Sequence, residues 1–297
     1  MSKIIDGRLI AKEILNDVKI KVEEIKTSLN VCPKIATVLV GSDAASEIYV
    51  KAKLKAAKQV GIDTELLKLN QNVSNEELSQ LITTLNKDKE VTGILVQLPL
   101  PKTLDDNIVF KLIDYKKDID GFGIYNTGLL NHWNSSILPC TPQGILYILK
   151  KYLGNDLSGK KAVIIGRSLI VGRPMASILI KENCTVTVTH SKTINLKQEC
   201  VRADILIAAA GVPLLVKSDW IQEGCFVVDV GINRLENKLV GDVDFENVKN
   251  KASYITPVPG GIGPLTVANL MLNALKLCYL QHALDFDNVT GETVKVL

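Results

Sequence analysis

The sequence predicts an α/β protein of two domains, each built on a largely parallel sheet. Short β-branched runs alternate with stretches of helical periodicity in both halves of the chain. A polar, glycine-rich stretch at residues 116–136 interrupts that alternation and reads as the floor of an interdomain cleft, with a plain surface loop as the alternative. The 297 residues, 46% hydrophobic and 23% charged, suit about two domains.

Ile10, Ile14, Val18, Val22, Ile25 and Leu29 recur at helical spacing and predict a long amphipathic helix behind Asp6 and Gly7. The run at residues 34–41 reads as a buried strand closed by Gly41, and a helix from Asp43 to Val60 ends at Gly61. A strand at 64–69 precedes Ser74, which with Glu77 forms a capping box opening a third helix. A strand at 93–100 and a helix near 104–113 complete the first half. Thr141 as cap and Pro142 at the first helical position open the next helix. Strands at 161–166, 185–189, 204–210 and 226–231, with a helix from about Val171, predict the second sheet. Pro264 opens a last, apolar helix expected to pack back on the first half. The domain boundaries follow: 1–139, joined by 270–297, and 140–269.

Composition removes several classes of function. Thirty-five Lys and Arg against 32 Asp and Glu leave +3, too little to announce nucleic acid or a membrane surface. The charged N-terminus does not resemble a signal peptide, and the longest apolar run, 205–216, contains Gly211 and Pro213. Six scattered cysteines without a C-x-x-C pair, and three isolated histidines, indicate neither a disulfide framework nor a metal site. A cytoplasmic protein is expected.

Residues 163–174 run from a buried strand through Gly166 into a helix start, an arrangement that points backbone N–H groups and a helix dipole at phosphate. Gly166 suits the tight turn and Gly172 a close approach, while Arg167, Ser168 and Arg173 add donors for anionic oxygen. The next strand ends in His190, Ser191 and Lys192, with no carboxylate to hold a ribose 2′-hydroxyl or repel a 2′-phosphate. If this is a Rossmann nucleotide site, NADP is favoured over NAD; a solvated turn is the alternative.

Ser46, Tyr49 and Lys53 share one face of the second predicted helix, an aromatic ring beside an amine. Gln97 lies at a strand end where open α/β sheets place ligand crevices. Asp118 and Asp120 are paired acids beside flexible glycines, suited to the N–H donors of a heterocycle or simply to turn formation. Three prolines and three glycines at 257–264 suggest backbone approaching a ligand closely, or a hinge.

Together, in chain order, these segments resemble the bifunctional methylenetetrahydrofolate dehydrogenase/cyclohydrolases. The resemblance rests on Ser46-x-x-Tyr49-x-x-x-Lys53, Val96-Gln97-Leu98-Pro99-Leu100-Pro101, Lys117-Asp118-Ile119-Asp120-Gly121, Thr141-Pro142-x-Gly144, Gly166-Arg167-Ser168 with Val171-Gly172-x-Pro174, Asp229-Val230-Gly231-Ile232-Asn233 and Pro259-Gly260-Gly261-Ile262-Gly263-Pro264. Ile262 and Leu265 stand where the family often has Val and Met.

The resemblance implies a folate cleft between the N-terminal domain and a Rossmann NADP-binding domain, a homodimer, and a place in one-carbon metabolism that feeds purine biosynthesis. It implies that Tyr49 stacks on the aminobenzoyl ring, that a buried Lys53 moves protons with Gln97 tuning it, and that Asp120 holds the pterin. Pro259, Gly260, Gly261 and Ile262 would line the folate side; Gly166, Arg167, Ser168, Ser191 and Ile232 would contact NADP, to which the reading of the residues adds the charge of Arg173. Two other readings stay open on the residues alone. One is a single-activity NADP dehydrogenase of another small acid, like the shikimate dehydrogenases; the other is a nucleotide-sensing protein without catalysis.

Overall fold

The computed structural model describes residues 3–135, 137–236 and 238–282. Strand β1 (Lys3–Ile4) and helix α1 (Gly7–Leu29) open the chain, followed by β2 (Lys34–Val40), α2 (Ala44–Val60), β3 (Asp63–Leu69), α3 (Asn75–Lys87), β4 (Gly93–Val96), α4 (Asn107–Leu112) and α5 (Ile124–Asn131). Then come α6 (Cys140–Leu153), β5 (Lys161–Ile165), α7 (Gly172–Lys181), β6 (Thr185–Thr189), α8 (Leu196–Val201), β7 (Ile205–Ala208), β8 (Phe226–Asp229), β9 (Asn233–Leu235), β10 (Lys238–Val240), α9 (Phe245–Val248), β11 (Tyr254–Ile255) and α10 (Ile262–Gln281). The chain forms two compact units: Lys12–Cys140 with the chain from Val267 on, and the first residues to Ala11 with Thr141–Thr266.

The first unit has a three-stranded parallel sheet, β3-β2-β4, with Ile35 opposite Thr64 on one side and Gly93 on the other. β2 is central and almost wholly buried, which is why its sequence is a continuous apolar run; β3, at the edge, alternates. Ala36, Val38, Ile94 and Val96 pack with Leu78, Ile82 and Leu85 of α3. The expected capping box starts α3: Ser74 accepts from the Glu77 N–H, and Glu77 accepts from that of Ser74. α10 contributes to this unit from Val267 on; Gln281 donates to the carbonyls of Thr92 and Lys116.

The second unit carries a six-stranded parallel sheet ordered β1-β11-β8-β7-β5-β6. The chain runs from β5 outward to β6 and then crosses back to β7 on the other side of β5, which creates a topological switch point between β5 and β7. Val163, Ile165, Leu206, Ala208 and Val227 form its core with Val243 and Val248.

Several elements differ from expectation. The sequence reading opens the first domain at residue 1, but β1 pairs with β11 in the six-stranded sheet, too short a strand to leave a periodic signal. The polar stretch at 116–136 contains α5. α6 begins at Cys140, so Thr141 is not its cap; the Thr141 hydroxyl instead hydrogen-bonds that of Thr266 at 2.8 Å. β9 and β10 form an antiparallel hairpin that the sequence reading misses. The tail 283–297, assigned by sequence to the first domain, lies outside the described residues.

Candidate active site

α2 positions the first group of site residues. The Asp43 carboxylate accepts from the Ser46 N–H at 2.8 Å and caps the helix, and Gly61, at φ 80°, ends it in the left-handed conformation that glycine adopts without strain. Ser46 is buried, Tyr49 is 38% exposed and Lys53 is half-buried, where the resemblance implies a buried lysine. Burial of the phenol raises the Tyr49 pKa.

β4 delivers the partner of Lys53. Gln97 is the first residue past β4, held by its own N–H on the Val38 carbonyl at 2.9 Å. Its Oε1 accepts from the Lys53 Nζ at 3.0 Å, and its Nε2 donates to the Leu98 carbonyl. With both ends of the amide engaged, Gln97 offers a fixed acceptor to the amine, so the amine and amide behave as one unit.

Asp120 supplies the acid. Burial of its carboxyl pushes the pKa up to about 6, against the opposing pull of the Lys53 charge and with a smaller upward push from Asp118; the residue as a whole is only partly buried. Lys53, Gln97 and Asp120 are thus gathered in one unit. The Cys140 thiol feels both charges, and burial first, then Asp120, raises its pKa well above the ordinary value.

Asp118 does something other than its neighbour. It is 3% exposed; Oδ1 accepts from the Gly121 and Phe122 N–H groups, and Oδ2 from the Gly123 N–H and the Asn126 Nδ2. Burial raises its pKa, against these donors. On the other side of Asp120, the buried Asn273 of α10 donates from Nδ2 to the carbonyls of Ile119 and Leu138, both at 2.9 Å. Sequence reasoning missed Asn273 and Asn126. An acid three residues before glycine, and an amide inside an apolar helix, were the signals available.

The second unit holds the other candidates. Gly166 follows β5 at φ 122°, and a Cβ there would run into the Ala209 carbonyl at the end of β7. At Gly172 a Cβ would collide with the backbone of Gly166 and Arg167, so the glycine lets the turn fold closely on itself. The Ser168 Oγ accepts from the N–H groups of Val171 and Gly172 at the start of α7, which leaves its O–H free to donate. Arg173 donates from Nε to the Arg167 carbonyl. Arg167, Ser168, Arg173 and Ser191 are exposed, and Ile232 is 50% exposed. An exposed donor set around a glycine turn at a helix start fits a phosphorylated dinucleotide. Pro259, Gly260, Gly261 and Ile262 also belong to this unit: Gly260 has φ 105°, Gly261 donates to the Pro257 carbonyl at 2.9 Å, and Ile262 is buried.

The raised pKa of Asp120 has a thermodynamic consequence. A carboxyl at about 6 in the fold and near 3.8 when unfolded stabilises most fully below pH 3.8, and that contribution is lost as pH rises through 6. Asp120→Asn should therefore gain stability relative to the unmodified protein between pH 4 and 7. Urea midpoints of both proteins at pH 4, 5.5 and 7 measure it; a constant difference across that range would show that Asp120 titrates normally.

Residues 5–120 match the catalytic domain of tetrahydrofolate dehydrogenase/cyclohydrolase, and residues 139–282 match that family's NAD(P)-binding domain. The bifunctional protein FolD of Rickettsia typhi is 50% identical over 278 residues, 93% of this chain and 97% of the relative. The crystal structure of the bifunctional FolD methylenetetrahydrofolate dehydrogenase/cyclohydrolase from Campylobacter jejuni superposes with a TM-score of 0.92 at 47% identity, covering 94% of this chain and 99% of that one. The Trypanosoma brucei enzyme, solved with NADP cofactor and an inhibitor, gives 0.90 at 36% identity, covering 94% and 98%. With both family domains matched in order over almost all of its described length, the chain belongs to the tetrahydrofolate dehydrogenase/cyclohydrolase family.

Proposed function

We propose that this protein oxidises 5,10-methylenetetrahydrofolate to 5,10-methenyltetrahydrofolate with NADP and hydrolyses the product to 10-formyltetrahydrofolate. The observation that carries the reading is the Lys53 Nζ to Gln97 Oε1 hydrogen bond beside the Asp120 carboxyl, inside the segment matching the catalytic domain. The family match in both halves supports this over a dehydrogenase of another small acid. Turnover would separate it from a nucleotide sensor.

The two reactions ask different things of the site. NADP supplies the hydride acceptor when bound. The carbon that loses hydride is flanked by two nitrogens whose lone pairs stabilise the resulting cation, so oxidation needs alignment more than acid or base. Tyr49 offers a ring face for the aminobenzoyl group and Asp120 an acceptor for the pterin N–H donors. Pro259, Gly260, Gly261 and Ile262 are assigned to the folate side on the resemblance alone. Hydrolysis adds water to the cation at the bridging carbon and then breaks its bond to N5. The attacking water loses one proton, N5 gains one as its bond to the carbon breaks, and the hydroxyl of the adduct gives up its proton as it becomes the formyl carbonyl, so one proton is released net. These are transfers suited to an amine held by Gln97. Lys53 is the group for those transfers, and Asp118 and Asn273 fix the backbone on either side of Asp120.

Gly166, Arg167, Ser168, Arg173, Ser191 and Ile232 form the proposed NADP set. The domain division 1–139 with 270–297, and 140–269, is kept as a functional division, with β1 contributing to the second sheet. A homodimer in the cytoplasm, acting on folate and binding no nucleic acid, completes the reading. Among the described residues no helix is long and apolar enough to cross a membrane.

The direct experiment is a spectrophotometric assay with 5,10-methylenetetrahydrofolate and either NADP or NAD. NADP should be preferred, because no carboxylate follows β6 while Ser191 and Arg173 are exposed donors. The double substitution Arg173→Ala and Ser191→Ala should weaken NADP far more than NAD. Equal use of both cofactors by the unmodified protein would remove the argument.

Lys53→Met preserves length and apolar volume but deletes the amine. With each substrate supplied separately, hydrolysis of methenyltetrahydrofolate should fall roughly 10²-fold or more, and oxidation of methylenetetrahydrofolate by less. Equal losses would mean that Lys53 only positions folate.

A further inference from the structure

Two buried carboxylates in the six-stranded unit have no part in the chemistry above. Asp229 ends β8 and is 3% exposed; Asp242, just past β10, is fully buried. Asp229 accepts from the N–H groups of Gly231, Asp242 and Val243 at 2.9–3.0 Å. Asp242 accepts at Oδ2 from the Ala210 and Gly211 N–H groups, at 2.6 and 2.9 Å, and at Oδ1 from the Asn233 Nδ2 at 2.9 Å. Each acid also packs on a glycine of the other's segment: a Cβ on Gly231 would strike the Asp242 carboxylate, and one on Gly241 would strike that of Asp229.

The groups that Asp242 holds lie at the carboxyl ends of β7 and β8, the side on which open α/β sheets bind ligands. Ala210 and Gly211 continue the chain from Ala209, whose carbonyl fills the space beside Gly166. Asn233 follows Ile232 directly. One carboxylate therefore ties the β7 loop that backs the glycine turn to the β8 loop that carries Ile232. All three of its partners are N–H donors, and the two carboxylate oxygens accept all of them. Burial, with the adjacent charge of Asp242, pushes the pKa of Asp229 up to about 7, so burial and that charge outweigh its own donors.

We infer that Asp242, seated on Asp229, is a positioning residue for the dinucleotide, setting the spacing of the β7 and β8 loops without touching the ligand. The inference rests on the NADP assignment proposed above. Electrostatics alone makes the opposite prediction, since removing a negative charge near a polyanionic ligand should tighten its binding. Orphaning three N–H donors should loosen the loops and weaken it.

The test is NADP affinity by calorimetry, with steady-state kcat and KM for NADP, for the unmodified protein, Asp242→Ala, Asp242→Asn and Asn233→Ala. Asp242→Ala should raise Kd and KM for NADP about tenfold while kcat at saturating NADP changes less than KM. Asp242→Asn should partly rescue it, because its amide oxygen still accepts from Ala210 and Gly211. If Asp242→Ala does not fold, Asn233→Ala decides, with a smaller rise in the same direction. Unchanged or tighter NADP binding by the folded variants would overturn the inference and leave the cofactor assignment standing, as would a loss of kcat with KM unchanged. Absence of NADP binding by the unmodified protein would overturn both.

Discussion

The Asp118 carboxylate is the interaction on which the candidate site depends. Four N–H donors converge on its two oxygens: three backbone groups of residues 121–123 and the amide of Asn126. Hydrogen bonds to a charged acceptor are worth more than neutral ones, and a buried carboxylate without such partners would be costly. The cluster binds the turn after Asp120 to the start of α5. On the near side, the Ile94 N–H donates to the Lys117 carbonyl at 2.8 Å, so this segment runs beside β4, the strand that delivers Gln97. Asn273 holds the Ile119 carbonyl from α10. Asp120 is therefore set by backbone fixed before and after it, and its own carboxyl remains available for other work.

The six-stranded unit uses the same device. Asp229 and Asp242 gather backbone N–H groups at strand ends, where the parallel sheet has finished its ladder and loop amides need acceptors. In both units a buried acid gives a loop a defined geometry while nearby polar groups stay exposed. Glycine makes this possible where an acid must touch backbone closely, as at Gly123 against Asp118 and Gly231 against Asp242.

Much of the fold was legible in the sequence because its signals are local. Apolar runs marked β2, β5 and β7, the Ser74 and Glu77 pair marked the start of α3, and Gly61 marked the end of α2. The elements missed are those made by distant partners. β1 exists because residues 3 and 4 pair with residues 254 and 255, and no window of sequence contains both. The site was legible in part. Glycines near 166 pointed to a nucleotide turn, but the close packing of Gly172 on the backbone of Gly166 and Arg167 has no signal in the sequence beyond the glycine itself. Asp118 and Asp242 look like ordinary loop acids in sequence, and Asp229 like one polar position in a strand, because burial and convergence of donors are properties of the folded chain.

With Asp120 holding the pterin as proposed, the buried Asp118 anchor sets folate binding through the backbone that positions it. Asp118→Asn keeps the side chain's shape but turns an N–H₂ toward donors, leaving at least one of the three backbone N–H groups unpaired. Calorimetric titration of the folded variant with methenyltetrahydrofolate, and separately with NADP, reads the consequence. Folate affinity should fall on the order of tenfold with NADP affinity unchanged. Folate affinity equal to that of the unmodified protein would contradict the account.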